Sequence, residues 1–326
     1  MKIREMISGQ NKISLYIKLK EIKTAKNGNK YTAMTLADGE QEIMAQMWED
    51  LSDSMIYEVG KVLSFIVEKG EYAGRPSYKV VSGVPDLEAD VSRYIESTPY
   101  TPEYMYNEIM ETIKGMKDAD YQSVAGNIVY MHREKLMNSC GAKNIHHAIK
   151  SGLLWHVFSM LQMAKAIAPL YPINSDILYA GVILHDIGKI EQLDTNDKGM
   201  TEYTVPGNLI GHICLGDAIV CRYAAIAKRK VPEEKLEIIR HMILSHHGRY
   251  EWGSPVLPMI PEAMILHYLD MIDSREYQFD KYQKSTAPGT FSERIGTLDK
   301  MPVYNPINTE ATSPVDFTMW QDGQEG

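Results

Sequence analysis

Apolar and polar residues alternate over residues 14–22, where Leu15, Ile17 and Leu19 are separated by Tyr16, Lys18 and Lys20, and this period of two predicts a half-buried strand. Asn27-Gly28 follows, a pair that accepts the positive φ angles of a hairpin, so a second strand is expected over 31–37. Asp38-Gly39 repeats the signal ahead of a third strand over 42–48. A helix is expected over 49–59, then two more strands over 62–69 and 77–82. Beyond residue 86 the pattern turns helical, with segments expected over 102–117, 119–136, 147–168, 175–187, 207–228, 232–246 and 258–277. Thr101-Pro102-Glu103 opens the first of these as an N-cap with Pro at the first helical position.

Five strands with a helix between the third and fourth is the order of an OB-fold barrel. Nothing after residue 86 alternates at period two for long enough to make a sheet. The expected fold class is therefore multidomain, an N-terminal all-β OB-fold barrel followed by an all-α helical bundle. The expected boundaries are 1–85 for the barrel, 86–118 for a helical linker, 119–285 for the helical domain and 286–326 for an extended tail. That tail is rich in Pro, Gly, Ser, Thr and Asn and is expected to drape over the domain or meet a neighbouring subunit, which leaves room for a homo-oligomer.

Composition adds little, since 44% hydrophobic and 24% charged residues over 326 positions is ordinary for a globular chain. No run approaches the ~18 to 20 uninterrupted apolar residues of a membrane span. The N-terminus, Met1-Lys2-Ile3-Arg4-Glu5, leads into polar sequence rather than a signal peptide, so a cytoplasmic protein with no membrane partner is expected. Cys140, Cys214 and Cys221 have no metal-knuckle or disulfide spacing and read as packing residues of a reducing compartment.

Charge distribution changes the picture more. The net charge of −9 argues against a nucleic-acid partner, yet residues 1–30 hold eight Lys and Arg against two Glu, a local balance of +6. OB barrels bind single strands by pairing cations that track the backbone with aromatic platforms for bases. Tyr16, Tyr31, Trp48, Phe65, Tyr72 and Tyr78 are the candidate platforms, with roughly half expected to be core.

All ten histidines lie beyond residue 130. His156, the His185-Asp186 pair, His212, the His246-His247 pair and Asp270 fall on separate expected helices, each in a largely apolar stretch. Buried one by one, each would need its own polar partner; a shared metal centre satisfies all of them. Imidazole and carboxylate donors without thiolate fit Mn, Fe, Co, Ni or Zn. Lys189 lies on the helix face of His185 and Asp186, where it can stabilise charge on phosphoryl oxygens as a leaving group departs. Arg249 and Tyr250 follow the double His in an expected loop, placed to clamp a phosphate and stack on a base. His146 and His147 stand ahead of the His156 helix as candidate channel residues, whereas His132, His241 and His267 read as structural.

The order H, HD, H, HH, D, with Asn144-Ile145-His146-His147-Ala148 ahead of Gly152-Leu153-Leu154-Trp155-His156, resembles the HD-domain metal-dependent phosphohydrolases. More closely, residues 184–189, Gly207-Asn208-Leu209-Ile210-Gly211-His212, Leu244-Ser245-His246-His247-Gly248 and Glu251-Trp252-Gly253-Ser254-Pro255 look like the YhaM-type 3′ to 5′ exoribonucleases. That resemblance covers residues 12–285. It implies an OB-fold domain before an HD domain, with His156, His185, Asp186 and Asp270 as ligands of a first metal. It further implies Asp186 bridging to a second metal completed by His212 and His246, with His247 as a further ligand or a phosphate contact. Two divalent ions are implied, manganese ahead of Co, Fe, Ni or Zn. The function implied is exonucleolytic hydrolysis of single-stranded RNA, and of single-stranded DNA, to 5′-mononucleotides by a hydroxide that two metals activate, with Asp186 and Lys189 as catalytic residues. His147, His247, Arg249, Tyr250, Tyr16, Tyr31 and Trp48 are the expected substrate contacts. The rival readings are a phosphohydrolase of small or cyclic nucleotides and a non-catalytic single-strand binder.

Overall fold

In the computed structural model the first strand, β1 (Gly9–Thr24), is long enough to serve two partners. Residues 9–16 pair antiparallel with β4 (Val62–Tyr72), and residues 16–24 pair antiparallel with β2 (Lys30–Ala37). A register shift between Ile17 and Leu19 lets one strand turn the corner between them. β3 (Glu42–Met47) lies beside β2, and β5 (Arg75–Pro85) lies beside β4. Ala45 and Gln46 of β3 pair parallel with Tyr78 and Lys79 of β5, which closes the barrel in the order β1-β2-β3-β5-β4. The alternation read from the sequence is what fills it: Leu15, Ile17, Met34, Leu36, Leu63, Phe65 and Val67 point inward as one core. The structure describes residues 1–72, 75–94, 98–141, 149–195 and 201–307.

The helix expected over 49–59 does not form; the segment is a series of turns. Side chains outcompete the helical ladder there. Thr32 Oγ1 donates to the Glu49 carbonyl at 2.8 Å and accepts from the Leu51 amide at 3.1 Å, Lys20 Nζ donates to the Leu51 carbonyl at 2.7 Å, and Asp50 Oδ1 accepts from the Ser52 amide at 3.1 Å. Thr32 is fully buried. Replacing it by the isosteric Val leaves two main-chain groups without their partner, and the expected loss is about 1–3 kcal/mol, read as a lower urea midpoint for the barrel by Trp fluorescence.

The helical part contains α1 (Pro102–Lys114), α2 (Ala119–Met131), α3 (Arg133–Asn138), α4 (Gly152–Ile167) and α5 (Ser175–Leu184). It continues with α6 (Lys189–Gln192), α7 (Val205–Leu209), α8 (His212–Ile226), α9 (Glu233–Ser245) and α10 (Pro261–Ser285). Thr101, Asp118 and Asn174 cap α1, α2 and α5 with their side-chain oxygens. The all-α expectation is corrected by a short hairpin, β6 (Leu193–Thr195) against β7 (Thr201–Tyr203), whose three-residue strands are too short to leave a period in the sequence. The linker expectation for 86–118 also changes. Met105, Tyr106, Ile109, Ile113 and Met116 join one apolar core with residues of α2, α4, α5, α8, α9 and α10, so α1 is part of the bundle.

Gly152–Leu170 has the length and composition of a membrane span, which the apolar-run reading did not expect. Half of that window is buried, and Leu153, Leu154, Met160 and Leu161 pack in the bundle core.

The chain divides into two compact units, Met1–Gln278 and Phe279–Gly326. Among the described residues of the second unit there is local structure beyond α10. Phe291 and Ile295 bridge to Tyr304 and Met301, and Ile295, Leu298 and Val303 form a small cluster against Tyr282.

Candidate metal centre

Helix ends build the site. α5 stops at Leu184, so His185, Asp186, Ile187 and Gly188 form a tight turn that leads into α6 at Lys189. His212 opens α8, His246 caps the C-terminal end of α9 with His247 just beyond it, and His156 and Asp270 stand inside α4 and α10. The helix expected over 175–187 ends at Leu184, with His185 still in helical register as its C-cap, and the helix expected over 207–228 is interrupted at Ile210 and Gly211.

Two donor groups result: His156, His185 and Asp270 in one, His212, His246 and His247 in the other. Asp186 lies between them. Its Oδ2 is 3.7 Å from His156 Nε2 and 3.4 Å from His185 Nε2, while its Oδ1 is 3.4 Å from His212 Nε2 and 3.7 Å from His246 Nε2. One carboxylate thus presents one oxygen to each group. Lys189 Nζ ion-pairs with Asp186 Oδ2 at 2.6 Å, which confirms the proximity read from their spacing.

Hydrogen bonds set which nitrogen faces inward. His185 Nδ1 donates to the Val182 carbonyl at 2.9 Å, His246 Nδ1 to the Ile243 carbonyl at 2.6 Å, and His247 Nδ1 to the Trp252 carbonyl at 2.6 Å. A ring that donates through Nδ1 leaves its Nε2 lone pair for a cation. His156 differs, because its Nδ1 lies 2.7 Å from Asp273 Oδ2. Its Nε2 is 3.2 Å from His185 Nε2, a hydrogen-bond distance without an ion and close enough for both nitrogens to reach one cation.

Electrostatics agree with a cation site. Burial pulls the His156 imidazolium down, but Asp270 and Asp273 outweigh it and hold the group up to about 10, so without an ion the ring keeps a proton that a bound cation would have to displace. Burial pushes His212 down to about 3 and His246 well below its ordinary value, so both keep the neutral form that ligates. Burial works against the Asp186 charge, yet Lys189 and His185 hold its carboxyl far below the usual range. Asp186 Oδ1 and His212 Nε2 are buried with no hydrogen-bond partner, an arrangement that a divalent cation would satisfy. The donor set therefore fits a metal.

The remaining site expectations divide. Arg249 lies over the Trp252 ring at 4.7 Å and Tyr250 is exposed, both in the turn after His247. Gly248 makes that turn possible: its φ is +73°, and a Cβ there would meet the His267 ring at 2.4 Å. His267 Nδ1 donates to the His246 carbonyl at 2.9 Å, a contact that supports the end of α9. His241 accepts from the Met259 amide, also a structural role. His146 and His147 lie outside the described residues.

On the barrel, Tyr16 is buried and Phe65 is core, which removes Tyr16 from the expected substrate contacts. Strand register puts it there: Tyr16 pairs with both Ala37 and Val62, where β1 passes from one partner to the other. Trp48 is 55% exposed and stands 5.1 Å from the Tyr31 ring. The residue missed by sequence reasoning is Asp273, three positions after Asp270 on α10; the i, i+3 spacing was its only sign.

A profile of the HD domain matches residues 153–275. The chain is 38% identical over 289 residues to the 3′-5′ exoribonuclease YhaM of Listeria welshimeri, covering 87% of this chain and 91% of that protein. It is 36% identical over 288 residues to the protein of the same name from Bacillus subtilis, covering 86% and 90%. The HD domain implies dependence on a divalent metal, in keeping with the two donor groups.

Proposed function

The chain belongs to the YhaM family of 3′-5′ exoribonucleases, and on that premise we propose that it removes nucleotides from the 3′ end of single-stranded RNA, and of single-stranded DNA, releasing 5′-mononucleotides. The observation that carries the reading is Asp186, a buried carboxylate with one oxygen turned to each of two donor groups. His156, His185 and Asp270 would hold one divalent ion, His212, His246 and His247 a second, and Asp186 would serve both, with manganese the foremost candidate. When bound, such ions lower the pKa of water to near neutrality and neutralise charge on a phosphate oxygen.

The protein's own groups do the rest. Lys189, held by Asp186, keeps a cation beside the donors and offers N–H groups to the phosphoryl oxygens as the ester bond breaks. Arg249, over the Trp252 ring, presents its guanidinium to a backbone phosphate, and the exposed Tyr250 ring offers a face to the terminal base. The barrel holds the strand upstream. Trp48 and Tyr31 form its stacking platform, and Lys23 pairs in register with Tyr31 to track the backbone.

Trp48→Ala should weaken RNA binding by about 1–3 kcal/mol, the worth of one stacked base, without altering metal content. Fluorescence anisotropy with a labelled oligonucleotide in chelator measures it. Incubation with Mn²⁺, a 3′-labelled oligonucleotide and a panel of nucleoside phosphates and cyclic dinucleotides tests the reaction class. Labelled mononucleotide supports the exonuclease, whereas turnover confined to the panel identifies a small-nucleotide hydrolase.

A further inference from the structure

His156 is the one described donor histidine whose Nδ1 is paired with a carboxylate rather than a main-chain carbonyl. The partner, Asp273, is 6% exposed, sits one helical turn beyond Asp270 on α10, and brings its Oδ2 to 2.7 Å from a ring that is fully buried in α4. Its carboxylate meets the ring at Nδ1, while Nε2 is the nitrogen near His185 and Asp270. We propose that Asp273 is a positioning residue that makes the two metal positions unequal, with the His156–His185–Asp270 position binding its ion more tightly than the His212–His246–His247 position. This rests on the metal reading of the site.

The physical basis is charge transmitted through a ring. An imidazole that donates Nδ1–H to a carboxylate is a stronger electron donor at Nε2 than one that donates to a neutral carbonyl, and its orientation is fixed by a charge-assisted bond. The first position therefore combines a strengthened imidazole with Asp270 and half of Asp186, and Asp273 adds a further negative charge behind it. The second position has three imidazoles, at least two of them backed by neutral carbonyls, and only the other half of Asp186. A divalent ion is better neutralised in the first. The second is left with more positive charge, which suits a position that meets an anionic phosphate.

The test is a Co²⁺ titration of the full-length protein stripped of metal, followed by the visible absorption of the ion and by calorimetry, for the unaltered chain and for Asp273→Asn. Asparagine keeps the shape and still accepts the Nδ1–H bond, so at the His156 contact it removes the charge alone. The unaltered protein should bind two equivalents with separable affinities. Asp273→Asn should weaken the tighter one by about 10–100-fold and leave the other unchanged, while Asp273→Glu restores part of the loss. Two equivalents with unaltered affinities in Asp273→Asn, or equal weakening of both, would overturn the proposal while leaving the metal reading intact. An unaltered protein that binds no metal would sink both. Should Asp273→Asn fail to fold, the Zn²⁺-loaded unaltered protein labelled with ¹⁵N-histidine decides the matter. One Nδ1–H proton should resonate well downfield of the rest, and its absence counts against the Asp273 pairing.

Discussion

Asp186→Asn should leave the protein folded, reduce bound metal from two equivalents to at most one, and lower RNA hydrolysis by roughly three to four orders of magnitude. Asparagine has the shape of aspartate but only one oxygen, and its amide nitrogen carries protons instead of a lone pair. With Oδ2 facing His156 and His185 and Oδ1 facing His212 and His246, whichever way the amide turns, one group of donors meets an N–H. The substitution also removes the partner of Lys189, so the cation nearest the donors loses its tether. Losing several kcal/mol of charge stabilisation at the reacting phosphate corresponds to that many decades in rate at about 1.4 kcal/mol each. Metal analysis and single-turnover kinetics on the same preparation read both effects, and full activity with two bound equivalents would contradict the bridging role.

Gly188→Ala is expected to be more damaging than a methyl at any other of the described glycines whose surroundings are known. A Cβ at this position would lie 1.9 Å from the His212 carbonyl oxygen and 2.5 Å from the Gly216 amide nitrogen, both main-chain atoms of α8 that cannot rotate aside. Helix α8 must therefore back away from the turn that carries His185 and Asp186, and His212 goes with it. Overpacking of this kind costs about 1–3 kcal/mol even where side chains can yield, and the backbone clash places this site at or above the upper end. Urea denaturation should show that loss, and metal titration should show the His212 position weakened more than the His156 position. Unchanged stability would mean that α8 is less closely seated than the geometry indicates.

Most of the site was readable because its chemistry is concentrated in few residue types. Imidazoles and carboxylates in apolar helical stretches are conspicuous, and their order along the chain carried the resemblance that the relatives bear out. Asp273 was not readable, because an aspartate one turn after another looks like the polar edge of an amphipathic helix until the ring it supports is seen. The barrel strands were legible from alternation and from Asn27-Gly28 and Asp38-Gly39, and the parallel closure of β3 against β5 follows from their order. The segment after β3 was misread as a helix because its backbone is claimed by Thr32 and Lys20, residues distant in sequence. Tyr16 was misread as a platform because alternation places a side chain on a face but says nothing of which neighbouring strand covers it.

The central claim, exonucleolytic hydrolysis from the 3′ end at a metal centre bridged by Asp186, is tested most directly by product analysis on a 5′-labelled single-stranded RNA. With Mn²⁺ the full-length band should give way to a ladder descending one nucleotide at a time, and chelator or Asp186→Asn should abolish it. Immediate release of labelled mononucleotide, internal cleavage products, or a ladder that persists in chelator would contradict the account.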